Sequence, residues 1–498
     1  MRGLCLLALQ LLLLVLALLH QRKCHGLLLP LTNTLSSLRV ANGTTTTTLL
    51  PIHDLLRSSS LRSAARHRRH RALRSPRPRQ PPPAHRQLSL PLAPGSDYTL
   101  SLSVGPASAA APVSLFLDTG SDLVWFPCAP FTCMLCDGKP TPGRSSRLPP
   151  PIDSHRVPCA SPLCSAAHSS SPTSDLCAAA GCPLDDIETG SCGSSSSSHH
   201  ACPPLYYAYG DGSLVAHLRR GRVALAASVA VRDFTFACAH TALGEPVGVA
   251  GFGRGPLSLP AQLSPSLSGR FSYCLVSHSF RADRLIRPSP LILGRTPDAA
   301  DETGGFVYTP LLRNPRHPYF YTVALEAVTV GSTRIPARPE LGRVDRAGNG
   351  GMVVDSGTTF TMLPGETHAR VAEAFAVAMD AAGFARAELA EAQTGLTPCY
   401  RYAATDRGVP PLALHFRGDD ATVALPRRNY FMGFKSEEGD GVGCLMLMNG
   451  GEDGGDGPAG TLGNFQQQGF EVVYDVDAGR VGFARRRCTD LWDSLSRR

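Results

Sequence analysis

Two short segments of the chain carry the same pattern of reactive side chains. Residues 114–121 read SLFLDTGS and residues 352–358 read MVVDSGT, so each is an apolar run followed by a carboxylate, a hydroxyl residue, a glycine and a second hydroxyl residue. Asp118 and Asp355 therefore both follow segments that favour burial, where a lone charge is costly. Two carboxyl groups brought together cannot both ionise easily, so one keeps its proton while the other accepts one. Such a pair is suited to splitting a peptide bond with water.

The repetition of this pattern is more informative than either copy. A single Asp-Thr-Gly is typical of a turn after a strand. Two copies 237 residues apart, each preceded by an apolar run and followed by Ser or Thr, are hard to obtain from turn chemistry alone. We therefore expect two strand-to-loop junctions that bring Asp118 and Asp355 together.

Further motifs accompany the two junctions. They are DLVW at 122–125, YYAYGDGS at 206–213, VAG at 249–251, FSYC at 271–274, TLG at 461–463 and GNFQQQ at 463–468. With these motifs, residues 95–498 resemble the pepsin-like aspartic proteases, and more closely their plant nepenthesin-like branch.

The resemblance implies a mainly β, bilobal acid protease fold, with pseudo-twofold symmetry and a cleft between the lobes. We expect an N-terminal lobe with a cysteine-rich insert over residues 95–304 and a C-terminal lobe over residues 305–498. Alternation in residues 98–104 predicts a strand at the entrance to the first lobe. Val371, Phe375 and Met379 have the spacing of a helix that presents a core face.

The resemblance also implies roles for the residues of the two junctions. Asp118 and Asp355 share a proton and hold one water, and no covalent enzyme intermediate forms. Ser121 and Thr358 donate hydrogen bonds to the outer carboxylate oxygens of the two acids.

The other four residues of the junctions have structural roles in this family. Thr119 and Ser356 tie the two loops together through the opposite backbone. Gly120 and Gly357 allow the backbone to approach the partner acid, since neither has a Cβ.

The motif at 206–213 resembles the flap hairpin that covers the cleft in this family, with Tyr209 near its tip. By the same resemblance Tyr209 and Trp125 close the flap over the substrate. Closure expels water and strengthens each fixed dipole in the cleft.

The sixteen cysteines indicate an oxidising compartment. Cys5 and Cys24 lie in the N-terminal leader, which leaves fourteen, and nine of these lie from Cys128 to Cys202. The Cys133-x-x-Cys136 pair lacks a second pair at zinc spacing, so we expect disulfides, no metal and no cofactor. The resemblance implies the disulfides Cys399–Cys444 and Cys274–Cys488, and Cys238 would then pair into the insert.

The N-terminus begins with an apolar leader. Residues 1–25 contain an apolar core that is short for a membrane span, which favours a cleaved signal peptide. Because the cleavage site lacks clear small residues, a retained signal anchor stays an alternative. We expect the secretory pathway, with the extracellular space or apoplast first and the vacuole or plastid as alternatives, and no stable membrane association.

The segment after the leader is strongly basic. The chain carries a formal charge of +8, but residues 26–94 hold eleven Arg and one Asp, so the remainder of the chain beyond residue 94 is acidic. The run at 66–71 and the Pro-rich stretch that follows predict an extended, solvated segment. We interpret residues 26–94 as a basic propeptide, largely disordered or inhibitory, that lies across an acidic cleft until acid releases it. Asn42 lies in this segment and is the one glycosylation sequon.

The sequence therefore favours an aspartic endopeptidase with an acid pH optimum that acts as a monomer on protein or peptide substrates. One alternative is a non-catalytic inhibitor or binding protein on the same fold, against which the intact Asp118, Asp355 and Tyr209 argue. A second is nucleic-acid binding through the basic tract. We do not expect a nucleic-acid partner, since processing before residue 95 removes that tract.

Overall fold

The structure is a computed structural model. It describes the residues 27–33, 52–72, 98–108, 110–134, 136, 154–169, 201–208, 212–226, 229–244, 247–267, 270–277, 288–294, 305–403, 407–436, 439–451 and 457–496. The leader at 1–25, the Pro-rich basic stretch after residue 72, Asn42 and Tyr209 lie outside these residues.

Strands dominate the described residues, so the expected mainly β class is confirmed. The strands of the first half are β1 (Leu27–Asn33), β2 (Tyr98–Val104), β3 (Ala111–Asp118), β4 (Val124–Met134), β5 (Ser154–Arg156), β6 (Leu205–Ala208), β7 (Ser213–Ala226), β8 (Val229–Leu243), β9 (Gly248–Gly251), β10 (Arg270–Cys274) and β11 (Ser289–Leu293). Those of the second half are β12 (Val307–Pro310), β13 (Thr322–Val323), β14 (Leu325–Val330), β15 (Thr333–Pro336), β16 (Met352–Val354), β17 (Thr361–Leu363), β18 (Cys399–Arg401), β19 (Leu412–Phe416), β20 (Thr422–Leu425), β21 (Phe431–Lys435), β22 (Gly441–Leu445), β23 (Leu447–Asn449), β24 (Gly460–Leu462), β25 (Phe470–Asp475) and β26 (Arg480–Arg485).

The helices lie between and around the strands. They are α1 (Ile52–Ala72), α2 (Pro162–Ser169), α3 (Leu259–Leu267), α4 (Gly365–Ala381), α5 (Glu388–Thr394), α6 (Asn464–Gln467) and α7 (Cys488–Ser496), with short 3₁₀ turns at Pro339–Gly342 and Arg427–Asn429. None of the helices in the described ranges has the length and apolarity that crossing a membrane requires.

One large sheet joins the two halves of the chain. Its strand order is β12-β26-β25-β10-β11-β1-β2-β3-β9-β4-β8-β7-β5, with β6 paired to β7. β10 pairs antiparallel with β25, so a strand of the first half is hydrogen-bonded to a strand near the C-terminus. The second half adds the sheets β13-β16-β24-β17-β23, β15-β14-β19-β20 and β18-β22-β21. The two halves are therefore joined by continuous backbone pairing.

Two local predictions from periodicity are confirmed. β2 occupies Tyr98–Val104, with Leu100 and Leu102 buried and Ser101 exposed, as alternation requires. α4 buries Val371, Phe375 and Met379, so its apolar stripe faces the core.

The largest apolar cluster runs through both halves of the molecule. Phe271, Tyr321 and Tyr474 lie at its centre, and the rings of Phe271 and Tyr474 stack with centroids 4.6 Å apart. Burial of such rings stabilises the fold through the apolar area removed from water, at roughly 25 cal/mol per Å². This shared core lies directly behind the two aspartate loops.

Five disulfides join described cysteines. Cys274 is linked to Cys488 and Cys399 to Cys444, the two pairs that the resemblance implied, and Cys128 is linked to Cys238. The remaining two are Cys133–Cys136 and Cys164–Cys202. Since the Cys274–Cys488 bridge ties β10 to α7, it fixes the C-terminal end of the chain to the shared sheet.

The basic segment at 26–94 differs from the expectation in one respect. Its described parts are β1, which pairs with β11 and β2, and α1, which contains the run at 66–71. The expectation of an extended, solvated run at 66–71 is therefore wrong. Leu55 and Leu56 of α1 pack against Phe360 and Leu396 of the second half, and this apolar contact holds the helix in place.

Candidate active site

Each aspartate stands at the end of a strand that pairs in parallel with a strand from later in the chain. β3 ends at Asp118 and pairs with β9, where Asp118 is opposite Gly251. β16 ends one residue before Asp355 and pairs with β24, where Val354 is opposite Leu462. The apolar runs form these buried strands, so the two carboxyl groups are 1% and 0% exposed.

Each carboxylate receives two hydrogen bonds from its own loop. Ser121 Oγ donates to Asp118 Oδ2 at 2.5 Å, and Thr358 Oγ1 donates to Asp355 Oδ2 at 2.6 Å. The backbone N–H of the glycine two residues after each acid donates to Oδ1, at 2.8 Å in both loops. The two acids therefore have matched surroundings, which fix the orientation of both carboxyl planes.

The hydroxyl residue directly after each acid holds the opposite loop. Thr119 Oγ1 accepts the N–H of Ser356 at 2.9 Å and donates to Val354 O at 2.9 Å. In return Ser356 Oγ accepts the N–H of Thr119 at 3.0 Å and donates to Leu117 O at 3.0 Å. Four reciprocal bonds thus lock the two loops together in a buried environment.

The glycines of the two loops stand against the partner acid. A Cβ on Gly120 would lie 2.7 Å from the carboxylate atoms of Asp355, and a Cβ on Gly357 would lie 2.6 Å from Asp118 Oδ1. Both distances are too short for a side chain, so only glycine lets the two loops approach this closely. The structure therefore brings Asp118 and Asp355 into one site.

Arg66 of helix α1 lies between the two carboxylates. Its Nη2 contacts Asp118 Oδ2, and its Nε donates to Asp355 Oδ2 at 3.0 Å. The guanidinium therefore covers the oxygen of each acid that also accepts the Ser121 or Thr358 hydroxyl. It provides a cation for a buried pair of acids, which is the main way that buried carboxylates are tolerated.

Burial raises the pKa of Asp118 above its ordinary value. The Arg66 guanidinium opposes this shift in the pKa, and the nearby Asp355 carboxylate adds to it. A carboxyl whose pKa is raised holds its proton at a pH where an ordinary aspartate has lost it. Burial therefore favours the protonated form of the Asp118 carboxyl.

The other predicted site residues are Trp125, Tyr209 and Asn42, and the structure describes only the first of them. Trp125 is fully buried in a cluster with Val157, Leu205 and Leu214, of which Leu205 begins strand β6. Tyr209 and Asn42 lie outside the described residues, so their placement stays a prediction.

In the described part of the chain, the cluster of Cys164, His168 and Cys202 has ligand spacing for a metal, but its two cysteines form a disulfide and offer no thiolate.

A polar layer behind the aspartates was missed at the level of sequence. Tyr273 O–H donates to Gln467 Oε1, and Gln467 Nε2 donates to Leu462 O at 2.8 Å and to Asp355 O at 3.4 Å. The motifs FSYC and GNFQQQ supply these two side chains, but their residue types do not by themselves indicate a bond between them. Arg66 and Asp122 were missed as well, because a basic run and a turn residue rarely signal buried charge.

Known proteins are similar to this chain along most of its length. A family model described as xylanase inhibitor N-terminal matches residues 98–294, and one described as xylanase inhibitor C-terminal matches residues 320–485. A probable aspartyl protease of Arabidopsis thaliana is 55% identical over 440 residues, which cover 82% of this chain and 85% of that protein. Aspartic proteinase nepenthesin-1 of Nepenthes gracilis is 29% identical, over 79% of this chain and 78% of its own length. The solved structure of edgp has a TM-score of 0.57 and 18% identity, over 79% of this chain and 92% of that one.

These matches define the class of protein. The chain belongs to the pepsin-like aspartic proteases, in the plant nepenthesin-like branch. The structural likeness to edgp supports the fold alone, since sequence identity is low.

Proposed function

We propose that the chain is an aspartic endopeptidase in which Asp118 and Asp355 activate one water molecule. The observation that carries this proposal is the matched pair of loops. Each acid accepts one hydroxyl and one glycine N–H, and both contact the same guanidinium. Two buried carboxyls held in equivalent settings are arranged to share a proton.

In the proposed reaction the ionised carboxylate takes a proton from the water as its oxygen attacks the peptide carbonyl carbon. The protonated partner gives its proton to the carbonyl oxygen, so a neutral tetrahedral diol forms. The C–N bond then breaks, and the leaving nitrogen takes a proton from the protonated acid of the pair. One hydroxyl proton of the diol passes to the other acid, which is ionised at this stage. The products are a carboxylic acid and an amine, and the pair ends in its starting protonation state.

The proposal includes an acid pH optimum, since one member of the pair must be protonated. Peptide and protein substrates follow from the family, and we propose that they bind as an extended strand across the cleft. Disulfides of the described residues support a route through the secretory pathway.

The test is cleavage of a peptide library by full-length protein that has been incubated in acid. We expect cleavage between pH 3 and 5 that pepstatin blocks and that Asp118→Asn abolishes. Asp477→Asn is the matched control, because Asp477 is exposed and distant in sequence from both loops. Cleavage that persists in Asp118→Asn, or that pepstatin does not affect, would contradict the proposal.

We further propose that residues 26–94 are an inhibitory propeptide and that α1 carries the inhibition. Arg66 holds one oxygen of each acid, and Leu55 and Leu56 fix the helix to the second half. An ion pair with Arg66 favours the ionised acids, whereas the reaction needs one of them protonated. Acid would therefore weaken the Arg66 contact and release the helix.

Stepwise acidification of the full-length chain tests this propeptide. We expect Arg66→Ala to be processed at a higher pH than the unsubstituted chain, because the acids then protonate without competition from the guanidinium. Arg68→Ala is the matched control, since the neighbouring Arg68 is exposed and should leave the processing pH unchanged. Equal activity of the unprocessed chain at pH 7 and pH 4 would contradict an inhibitory role.

A non-catalytic binding protein is the second candidate function. The descriptions of both matching family models favour it, since they refer to xylanase inhibitors. The complete set of donors to both carboxylates supports the protease instead, because a binding protein has no use for a buried pair of acids. Inhibition of a xylanase by a chain that cleaves no peptide would favour the second candidate.

A further inference from the structure

A third carboxyl group lies behind the Asp118 loop, and the proposed reaction does not use it. Asp122 is 8% exposed and follows Ser121 directly. Its Oδ1 accepts the backbone N–H of Gly255 at 2.9 Å. Burying a carboxyl in this way is costly, so its presence beside the candidate site needs a reason.

The segment 251–255, which we call the glycine segment, runs alongside the Asp118 loop. Gly251 N–H donates to Leu123 O at 3.2 Å, Phe252 N–H to Asp118 O at 2.7 Å and Gly253 N–H to Ser121 O at 2.9 Å. The bond from Gly255 to the Asp122 carboxyl is the fourth in this series. The glycine segment thus holds the backbone of Asp118 itself, and Asp122 fixes the far end of the segment.

The fit between Asp122 and the glycine segment leaves no room for another side chain. A Cβ on Gly255 would lie 1.7 Å from Asp122 Oδ2, and a Cβ on Gly253 would lie 2.3 Å from Oδ1. The two glycines therefore form a recess for this carboxyl. Gly255 is not among the positive-φ residues, so alanine there would be opposed by the Asp122 carboxyl and not by the backbone.

The same segment connects the Asp118 loop to the second half of the chain. Arg254 N–H donates to Tyr319 O at 2.9 Å, and Tyr321 O–H donates to Phe252 O at 3.0 Å. Asp122 therefore lies where the Asp118 loop, the glycine segment and the residues just before β13 meet. A shift of the segment would move Asp118 relative to Asp355.

We propose that Asp122 is a positioning residue for the catalytic pair, which fixes Asp118 through the glycine segment. It touches neither substrate nor the reacting atoms. Its role rests on the proposed function, because it acts by holding Asp118 at the geometry that the reaction needs. A displacement of about 1 Å at a reacting group can cost about a hundredfold in rate.

The protonation state of Asp122 gives the proposal a second readout. Burial raises the pKa of Asp122 to about 7, the Gly255 N–H opposes this shift and the Asp118 charge adds to it. Among the described residues, the buried phenol of Tyr321 also interacts electrostatically with Asp122, and the exposed guanidinium of Arg254 interacts with that phenol. Because the pKa is raised above that of an unfolded aspartate, the stability that Asp122 contributes is present in acid and is lost as the pH rises through about 7.

The experiment compares four variants of the full-length chain after acid incubation: Asp122→Ala, Asp122→Asn, Gly255→Ala and the double variant Asp122→Ala/Gly255→Ala. We expect Asp122→Ala and Gly255→Ala each to lower kcat more than tenfold at pH 4 with KM changed less than threefold. Asp122→Asn keeps an acceptor for Gly255 and should recover at least fivefold over Asp122→Ala. The double variant should lose no more than either single one, since the same contact is removed.

Thermal unfolding of the unprocessed chain separates this inference from the proposed function. We expect the melting temperature of the unsubstituted chain to fall between pH 5 and pH 8, and to fall less in Asp122→Asn. Unchanged kcat in Asp122→Ala, or no recovery in Asp122→Asn, would overturn the inference while leaving the protease intact. An unsubstituted chain without any cleavage activity would overturn both.

Discussion

The two halves of the site are nearly identical close to the carboxyl groups and different one layer further out. Each acid accepts a hydroxyl at 2.5 or 2.6 Å and a glycine N–H at 2.8 Å. Behind Asp118 the support is a carboxyl, Asp122, bonded to Gly255. Asp122 is four residues after Asp118, and the equivalent position four residues after Asp355 is Thr359.

The support behind Asp355 consists of neutral groups. Thr361 Oγ1 accepts the N–H of Gly463 at 3.1 Å and donates to Gln466 Oε1 at 2.8 Å. Asn464 Nδ2 donates to Ser356 O at 2.9 Å. These groups keep one charge state from acid to neutral pH, whereas Asp122, whose pKa burial raises to about 7, is protonated in acid and ionises near neutral pH.

This asymmetry indicates which part of the site the proposed chemistry constrains. Sharing a proton requires two acids in equivalent settings, so the first layer is symmetric. The second layer has only to hold a loop in place, and a protonated carboxyl or an amide can do this equally well. On the Asp118 side, this support is then Asp122, a group that titrates near neutral pH.

The largest expected effect concerns the symmetry of the acids. Asp118→Asn and Asp355→Asn should each lower kcat more than about a thousandfold, which corresponds to about 4 kcal/mol. The double variant should be no worse than either single one, because both belong to one unit. Steady-state cleavage of one peptide at pH 4 measures all three, and a single variant that kept a tenth of the activity would show that the halves are not equivalent.

The next effect concerns the reciprocal bonds between the loops. Thr119→Val and Ser356→Ala should each lower the free energy of unfolding by about 1 to 3 kcal/mol, because each leaves a buried N–H without its acceptor. Denaturant unfolding of the full-length chain measures the loss, with the exposed Ser494→Ala as the control. The two losses should be similar, and a loss confined to one variant would mean that the loops are held from one side only.

The smallest effect concerns the hydroxyl donors. Ser121→Ala and Thr358→Val should each lower kcat about tenfold, or about 1.4 kcal/mol, since each removes one hydrogen bond to a carboxyl. The two factors should agree within threefold because the donor distances are 2.5 and 2.6 Å. Strongly unequal factors would place the ionised acid in one particular half.

The sequence predicted the parts of this molecule that are encoded locally. The loops around Asp118 and Asp355 each have a distinctive run of residue types, and the buried stripe of α4 has helical spacing. The pairings Cys274–Cys488 and Cys399–Cys444 came from the family pattern, since contacts across 214 and 45 residues have no local signal.

The parts that were missed depend on contacts between distant segments. The positions that α1 buries include Leu56, Ser59, Ser63 and His67 at helical spacing, but three of these four are polar, so hydropathy does not reveal the stripe. The Arg66 side chain is only 11% exposed because two acids, one of them 289 residues away along the chain, neutralise it. In the sequence Asp122 has the context of a turn residue, and only the fold places the glycine segment against it.

The pH dependence of kcat/KM for the acid-processed chain tests whether Asp118 and Asp355 share a proton, because a pair that shares one proton is active only while it holds one. We expect a bell-shaped profile with its maximum in the acid range and with two apparent pKa values that belong to the pair. A profile that is flat between pH 4 and pH 8, or that rises above pH 7, would contradict the account.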